Sequence, residues 1–297
     1  MTSIMQGMSE WQPVNLPGAQ TFEIHSQRTG EIYRILVRAP LGPPPQAGYP
    51  ALWMLDGDAS FPLVFSKPAG GLFPSASASA SASASASASA SADRAAGLTV
   101  AIGFPGGTPF DAPARSRNYT PQPDHETGDI VSSVFGGAKD FLYFLVEELR
   151  PALAALYPLD PTRNTLFGFS YGGLFTVHTL LHCPGHFQRY WAASPSLWFS
   201  DALMMRRMRE DAATRAAERL VITVGKDEQY ATHALPAERQ DHLSRRAMVD
   251  NIAEAASLIA RANPAMKVDL IVAADHDHFD MLLHGVRRAQ AMAFSEA

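Results

Sequence analysis

Short β-rich runs alternate with longer stretches of helical period from Ala51 onward, and no other feature of the chain constrains its fold as strongly. Strands joined through helices pair in parallel, so the pattern predicts a mostly parallel central sheet with helices on both faces. The expected strands are Ala51–Leu55, Leu98–Gly103, Thr165–Phe169, Tyr190–Ala193, Arg219–Val224 and Lys267–Val272. Between them, Lys139–Tyr157, Gly172–His182, Ala202–Ala217, Arg245–Ala262 and Phe279–Phe294 read as helices. Two earlier runs, Thr21–Ser26 and Ile32–Arg38, are linked by Gln27-Arg28-Thr29-Gly30, which predicts an antiparallel hairpin at the sheet edge. With 297 residues and 46% hydrophobic composition, residues 1–297 are expected to form one domain around one large core.

One segment breaks the pattern: 75–92 is strict Ser-Ala alternation. It has no large side chain whose burial could offset the entropy of ordering it, which predicts a flexible surface insertion. The net charge of −5 and the lack of any Lys/Arg run exclude a general pull toward nucleic acid or anionic lipid. No apolar run approaches the ~18 residues needed to span a bilayer, so no membrane insertion is expected. The lone Cys183 excludes an internal disulfide and reads as a small helix residue. Met1–Glu10 carries no apolar core behind basic residues. The expected compartment is therefore the cytoplasm, or the periplasm if a leader has been removed. No oligomeric state is legible.

Gly168-Phe-Ser170-Tyr-Gly172 lies between an apolar strand and an apolar helix. A G-x-S-x-G match arises by chance in about one chain in ten of this length, so the context carries the weight. A serine on a sharp strand-to-helix bend needs small neighbours, and its hydroxyl then stands above the sheet with the next amide facing a developing oxyanion. Such a serine needs an imidazole to take its proton and a carboxylate to orient that imidazole. After the last strand only His276, His278 and His284 remain. His278 is preferred because it ends the loop before the final helix, with His276 its close rival. For the acid, Asp227 and Glu228 both follow the strand ending at Val224, and spacing does not choose between them. Asp275-His276-Asp277-His278 could supply two metal ligands, but no third ligand cluster appears, so neither metal nor cofactor is expected.

Several separated signatures resemble the esterase D-like branch of the α/β-hydrolases, and within it the siderophore esterases that open enterobactin-type trilactones. They are Tyr49-Pro50-Ala-Leu-Trp-Met-Leu-Asp56-Gly57-Asp58, Arg115-Ser-Arg117-Asn118-Tyr119-Thr120-Pro121, the Ser170 motif, Ser194-Pro195-Ser196-Leu197-Trp198 and Asp277-His278. The resemblance runs from about Ile32 to Phe294. It implies that Ser170 is the nucleophile, that Gly57 or Asp58 supplies an oxyanion amide beside that of Tyr171, and that His278 is the base. It favours Glu228 over Asp227, although some members resemble a Ser-His dyad. Trp198 looks similar to an aromatic beside the pocket. Arg115 or Arg117 would meet an anionic ferric catecholate or tie down the loop Asn118–Pro121.

Two departures, Phe169 before the nucleophile and the Ser-Ala tract in place of a helix, bear on the substrate rather than the chemistry. The expected activity is hydrolysis of a carboxylic ester through an acyl-enzyme. A catechol siderophore trilactone or its iron complex is the expected small-molecule partner. A general carboxylesterase, or an acetyl or feruloyl esterase acting on a carbohydrate ester, is the alternative; a non-catalytic binding module is a third reading of another class.

Overall fold

Eight strands form one sheet in the order β1-β2-β4-β3-β5-β6-β7-β8 in the computed structural model, which describes residues 15–40, 43–65, 97–129, 132–214, 216–231 and 235–295. The Ser-Ala tract at 75–92 lies outside the described residues. β1 (Ala19–His25) and β2 (Ile32–Arg38) make the expected antiparallel hairpin, and β2 pairs antiparallel with β4 (Leu98–Gly103). Every other pairing is parallel: β4 with β3 (Tyr49–Met54), then β5 (Leu159–Phe169), β6 (Arg189–Ala193), β7 (Arg219–Gly225) and β8 (Lys267–Ala273). β3, β4 and β6 are buried at every residue, as expected for strands covered on both faces.

The helices are α1 (Gly57–Ser60), α2 (Ala112–Tyr119), α3 (Ala138–Tyr143), α4 (Arg150–Ala154), α5 (Tyr171–His182), α6 (Phe199–Glu210), α7 (Ala237–Arg246), α8 (Met248–Ala262) and α9 (Asp280–Phe294). One face of the sheet carries a core that includes Tyr33, Trp53, Phe141, Phe175, Ile252 and Ile259; the other packs Met54, Phe167 and Trp191 beneath Met281 and Val286 of α9. Helices therefore cover both faces, as the alternation predicts. Among the described residues no helix is long and apolar enough to cross a membrane.

Several boundaries differ from expectation, each for a local reason. The helix read as Lys139–Tyr157 contains a π-helical stretch, Phe144–Leu149, before Pro151, whose ring cannot donate to the regular ladder. The helix read as Ala202–Ala217 begins at Phe199 and stops at Glu210. Beyond it the Ala213 amide donates to Asp211 Oδ1 at 2.8 Å and the Thr214 amide to Asn263 Oδ1 at 2.7 Å, so side chains capture backbone donors that a helix would need. The helix read as Arg245–Ala262 breaks at Ala247, where φ is 43°. α2 and α7 were not foreseen, because both are dominated by polar residues; α2 is started by Asp111, whose Oδ1 accepts from the Ala114 amide at 2.9 Å.

Phe175 is fully buried and meets Tyr119 and Phe141, tying α5 to α2 and α3. Phe175→Ala is expected to cost about 3–5 kcal/mol, read as a lowered urea midpoint at unchanged slope.

Candidate active site

The bend between β5 and α5 is too tight for side chains on its inner face. A Cβ on Gly168 would sit 2.0 Å from the Gly172 carbonyl oxygen, and Ser170 takes φ 59° and ψ −114°, a conformation that costs a non-glycine residue of order 1–3 kcal/mol. The Ser170 amide donates to Ala193 O at 2.9 Å and its carbonyl accepts from the Ser196 amide at 3.2 Å, which fastens the strained residue to the end of β6. Its Oγ lies 3.3 Å from Ser196 Oγ. Tyr171 opens α5, so its N–H belongs to a first turn without intrahelical acceptors.

At the end of β7, Glu228 is buried and both its oxygens have partners. Oε1 accepts from Ser194 Oγ at 2.5 Å and from the Gly225 amide at 2.8 Å, while Oε2 lies 2.6 Å from His278 Nδ1. Between the candidate acids, the structure thus gives the histidine to Glu228. The Asp227 amide donates to His276 O at 3.2 Å, while its Oδ1 is buried with no hydrogen-bond partner among the described residues. His276 turns elsewhere, with Nδ1 2.6 Å from Ala274 O and its ring edge-on to His284 at 5.7 Å. The two histidines of the H-x-H pair do not converge. Burial, with Arg288 and His276 adding to it, lowers His284 to about 4, so it is neutral at ordinary pH.

Phe169, read as a departure in the sequence, stacks its ring against His278 at 4.6 Å. Among the described residues no hydrogen bond joins Ser170 Oγ to His278; the serine faces Ser196 and the histidine faces Glu228 at the same end of the sheet.

After β3, Asp56 adopts a left-handed conformation (φ 53°) and starts α1, where Gly57 and Asp58 sit. A Cβ on Gly57 would be 2.8 Å from the Gly103 amide nitrogen, so only glycine lets this turn lie against β4. Asp58 pairs with Arg34. Arg115 is committed inside the protein: Nε donates to Asp56 Oδ1 at 2.6 Å and Nη2 to Asp56 Oδ2 at 3.1 Å, with Nη2 also 3.3 Å from Phe169 O. It ties the Asp56 turn to the serine bend, and none of these bonds reaches the loop Asn118–Pro121, which the sequence pointed to. Burial alone would lower the Arg115 pKa, but the Asp56 carboxylate outweighs it and raises it. Arg117 pairs with Glu31 on the surface.

Trp198 is half-buried, 6.0 Å from the Tyr171 ring. Tyr171 Oη donates to Asp129 Oδ2 at 2.6 Å. Phe110, Phe169 and Phe279 form a triangle with centroids 5.8–6.1 Å apart, and Phe279 is 60% exposed. Sequence reasoning missed Phe110, Phe279, Ser194 and Arg246. Only Ser194 lay inside a motif that had been singled out.

The sheet order and the strand-to-helix serine bend define an α/β-hydrolase. More narrowly, the chain belongs to the putative esterase family, whose model matches residues 26–260. It is 29% identical to the ferri-bacillibactin esterase BesA of Bacillus subtilis over 199 residues, 65% of this chain and just under two thirds (63%) of that relative's length. It is 28% identical to the siderophore triacetylfusarinine C esterase of Aspergillus fumigatus over 303 residues, 96% of each chain. Among solved structures, siderophore hydrolase EstB from Aspergillus nidulans superposes with a TM-score of 0.76 at 26% identity, over 95% of this chain and 96% of that one.

Replacing Arg115 leaves Asp56 buried without its counter-ion, an arrangement that costs about 3–5 kcal/mol. Burial already raises the Asp56 pKa against the pull of Arg115, and loss of the arginine raises it further. A carboxyl raised above its unfolded value near ~3.9 binds its proton more tightly when folded. The stability deficit of Arg115→Gln should therefore shrink as pH falls toward that value and grow as pH rises. Urea midpoints of both proteins between pH 4 and 8 check the sign.

Proposed function

We propose that this chain is a serine esterase that hydrolyses the ester bonds of siderophores through an acyl-enzyme on Ser170. The observation that carries the reading is the buried Glu228 holding His278 Nδ1 at 2.6 Å, at the sheet end where Ser170 stands on its strained bend. A carboxylate only accepts, so Nδ1 bears the proton and Nε2 is left as the base. Ser170 Oγ turns from Ser196 toward His278 by a side-chain rotation, since catalytic hydrogen bonds often close only once substrate is bound.

Ser170 Oγ attacks the ester carbonyl as His278 Nε2 takes its proton. The negative oxygen is met by the Tyr171 amide and the amide of Gly57 or Asp58. Collapse breaks the acyl–oxygen bond, and His278 returns the proton to the departing alcohol. Water, deprotonated by the same nitrogen, then attacks the acyl-serine and releases the acid. Throughout, Glu228 stabilises the imidazolium. The aromatic side chains near Ser170, with Phe110, Phe169 and Phe279 in one group and Tyr171 and Trp198 in another, suit an aryl group. Together with the siderophore esters named for the relatives, they support a catechol siderophore trilactone or its iron complex as the substrate.

Ser170→Ala should abolish fluorophosphonate labelling and lower ester turnover by about 10⁶-fold. A folded Ser170→Ala protein with wild-type turnover would remove the nucleophile assignment. Glu228→Gln should lower kcat by about 10²–10⁴-fold with little change in labelling stoichiometry at long times. The substrate is tested by chromatography of products from ferric enterobactin beside 4-nitrophenyl acetate. An intact trilactone alongside a cleaved simple ester would overturn the siderophore reading and leave the esterase reading standing.

A further inference from the structure

Two arginines among the aromatic rings near Ser170 differ in how their charge is matched. Arg115, with Cζ 5.1 Å from the Phe110 ring and 6.0 Å from the Tyr171 ring, is neutralised by Asp56. Arg246 ends α7 with its guanidinium over the Trp198 ring, Cζ 4.0 Å from the centroid. Trp198 in turn meets the ring of Tyr171, the residue after Ser170. Arg246 makes no ion pair and no side-chain hydrogen bond among the described residues. Asp129, whose charge acts on Arg246, accepts from Tyr171 Oη, and Arg239 adds a like charge nearby.

This is an unusual place to leave an arginine. Half-buried and without a matched carboxylate, it is held below its ordinary pKa by loss of water, the opposite of Arg115. The Trp198 ring holds the guanidinium by a cation–π contact, its N–H donors take no acceptor among the described residues, and such a fork can match a carboxylate or an ionised catechol. A desolvated cation without a partner is costly in the empty site and becomes favourable once an anion arrives.

We propose that Arg246 is a specificity-determining residue that receives a negatively charged group of the ester bound at Ser170, giving the enzyme a preference for anionic over neutral esters. The inference rests on the serine esterase reading and assigns its charge selectivity to one side chain.

The test compares esters matched except for charge. Mono-4-nitrophenyl adipate against 4-nitrophenyl hexanoate puts the charge on the acyl side; 4-acetoxybenzoate against 4-acetoxybenzamide puts it on the alcohol side. The readout is the ratio of kcat/KM, anionic over neutral, within each pair. Arg246→Gln should lower that ratio by about tenfold in at least one pair, the range of a charge-assisted hydrogen bond. Arg246→Lys, which keeps the charge but loses the fork, should retain part of it. Added salt should erode the ratio in the wild type and not in Arg246→Gln. A fall of less than about fivefold in both pairs overturns the assignment of Arg246. Because the ratio cancels any general damage to the pocket, a variant that merely loosens Trp198 lowers both rates and leaves it unmoved. Failure of the underlying reading looks different: neither neutral ester is then cleaved by the wild type, or Ser170→Ala cleaves both at the wild-type rate.

Discussion

The backbone approach of β5 to α5 governs the rest of the site. With only 2.0 Å between a notional Gly168 Cβ and the Gly172 carbonyl, the chain reverses within a space that excludes side chains. The residue at its apex is forced into positive φ. Such strain persists only where surrounding contacts over-determine it. Here they come from β6, through the Ala193 carbonyl and the Ser196 amide, and from Arg115, which reaches the Phe169 carbonyl. The bend holds the hydroxyl above the strand ends, where residues from other parts of the chain can meet it.

Electrostatics organises those residues in two ways. Buried charge near the bend is matched: Asp56 is met by the fork of Arg115, and both oxygens of Glu228 are occupied by donors. Matched groups do not wander, because breaking either contact would strand a charge in a poorly solvated place. Arg246, over the Trp198 ring, departs from this rule, and its lack of an ion pair among the described residues sets it apart from Arg115.

Much of the architecture was legible in advance because it depends on periodicities that local chemistry imposes. Strands as rich in apolar residues as β3 and β4 are buried on both faces, and the hairpin of β1 and β2 has a turn between two strand-like runs. The helices that escaped notice, α2 and α7, are polar, so their burial pattern is too weak to show as a stripe. Helix ends were misjudged where Asp211, Asn263 and Pro151 acted on the backbone, effects a periodic pattern does not carry.

The chain order itself determined the fold class and the position of the strained serine, since both follow from local spacing: strand, glycine, serine, glycine, helix. Tertiary structure decided which of two neighbouring acids and which of two neighbouring histidines face each other. Asp227 and Glu228 differ by one place along a tight 3₁₀ turn, which brings the Glu228 carboxylate to Ser194, Gly225 and His278 and leaves Asp227 Oδ1 buried with no hydrogen-bond partner among the described residues. His276 and His278 are likewise separated by the path of a single loop. The surroundings of Arg115, Arg117 and Arg246 were also beyond reach, because a guanidinium's role is set by whether a carboxylate from a distant segment arrives beside it.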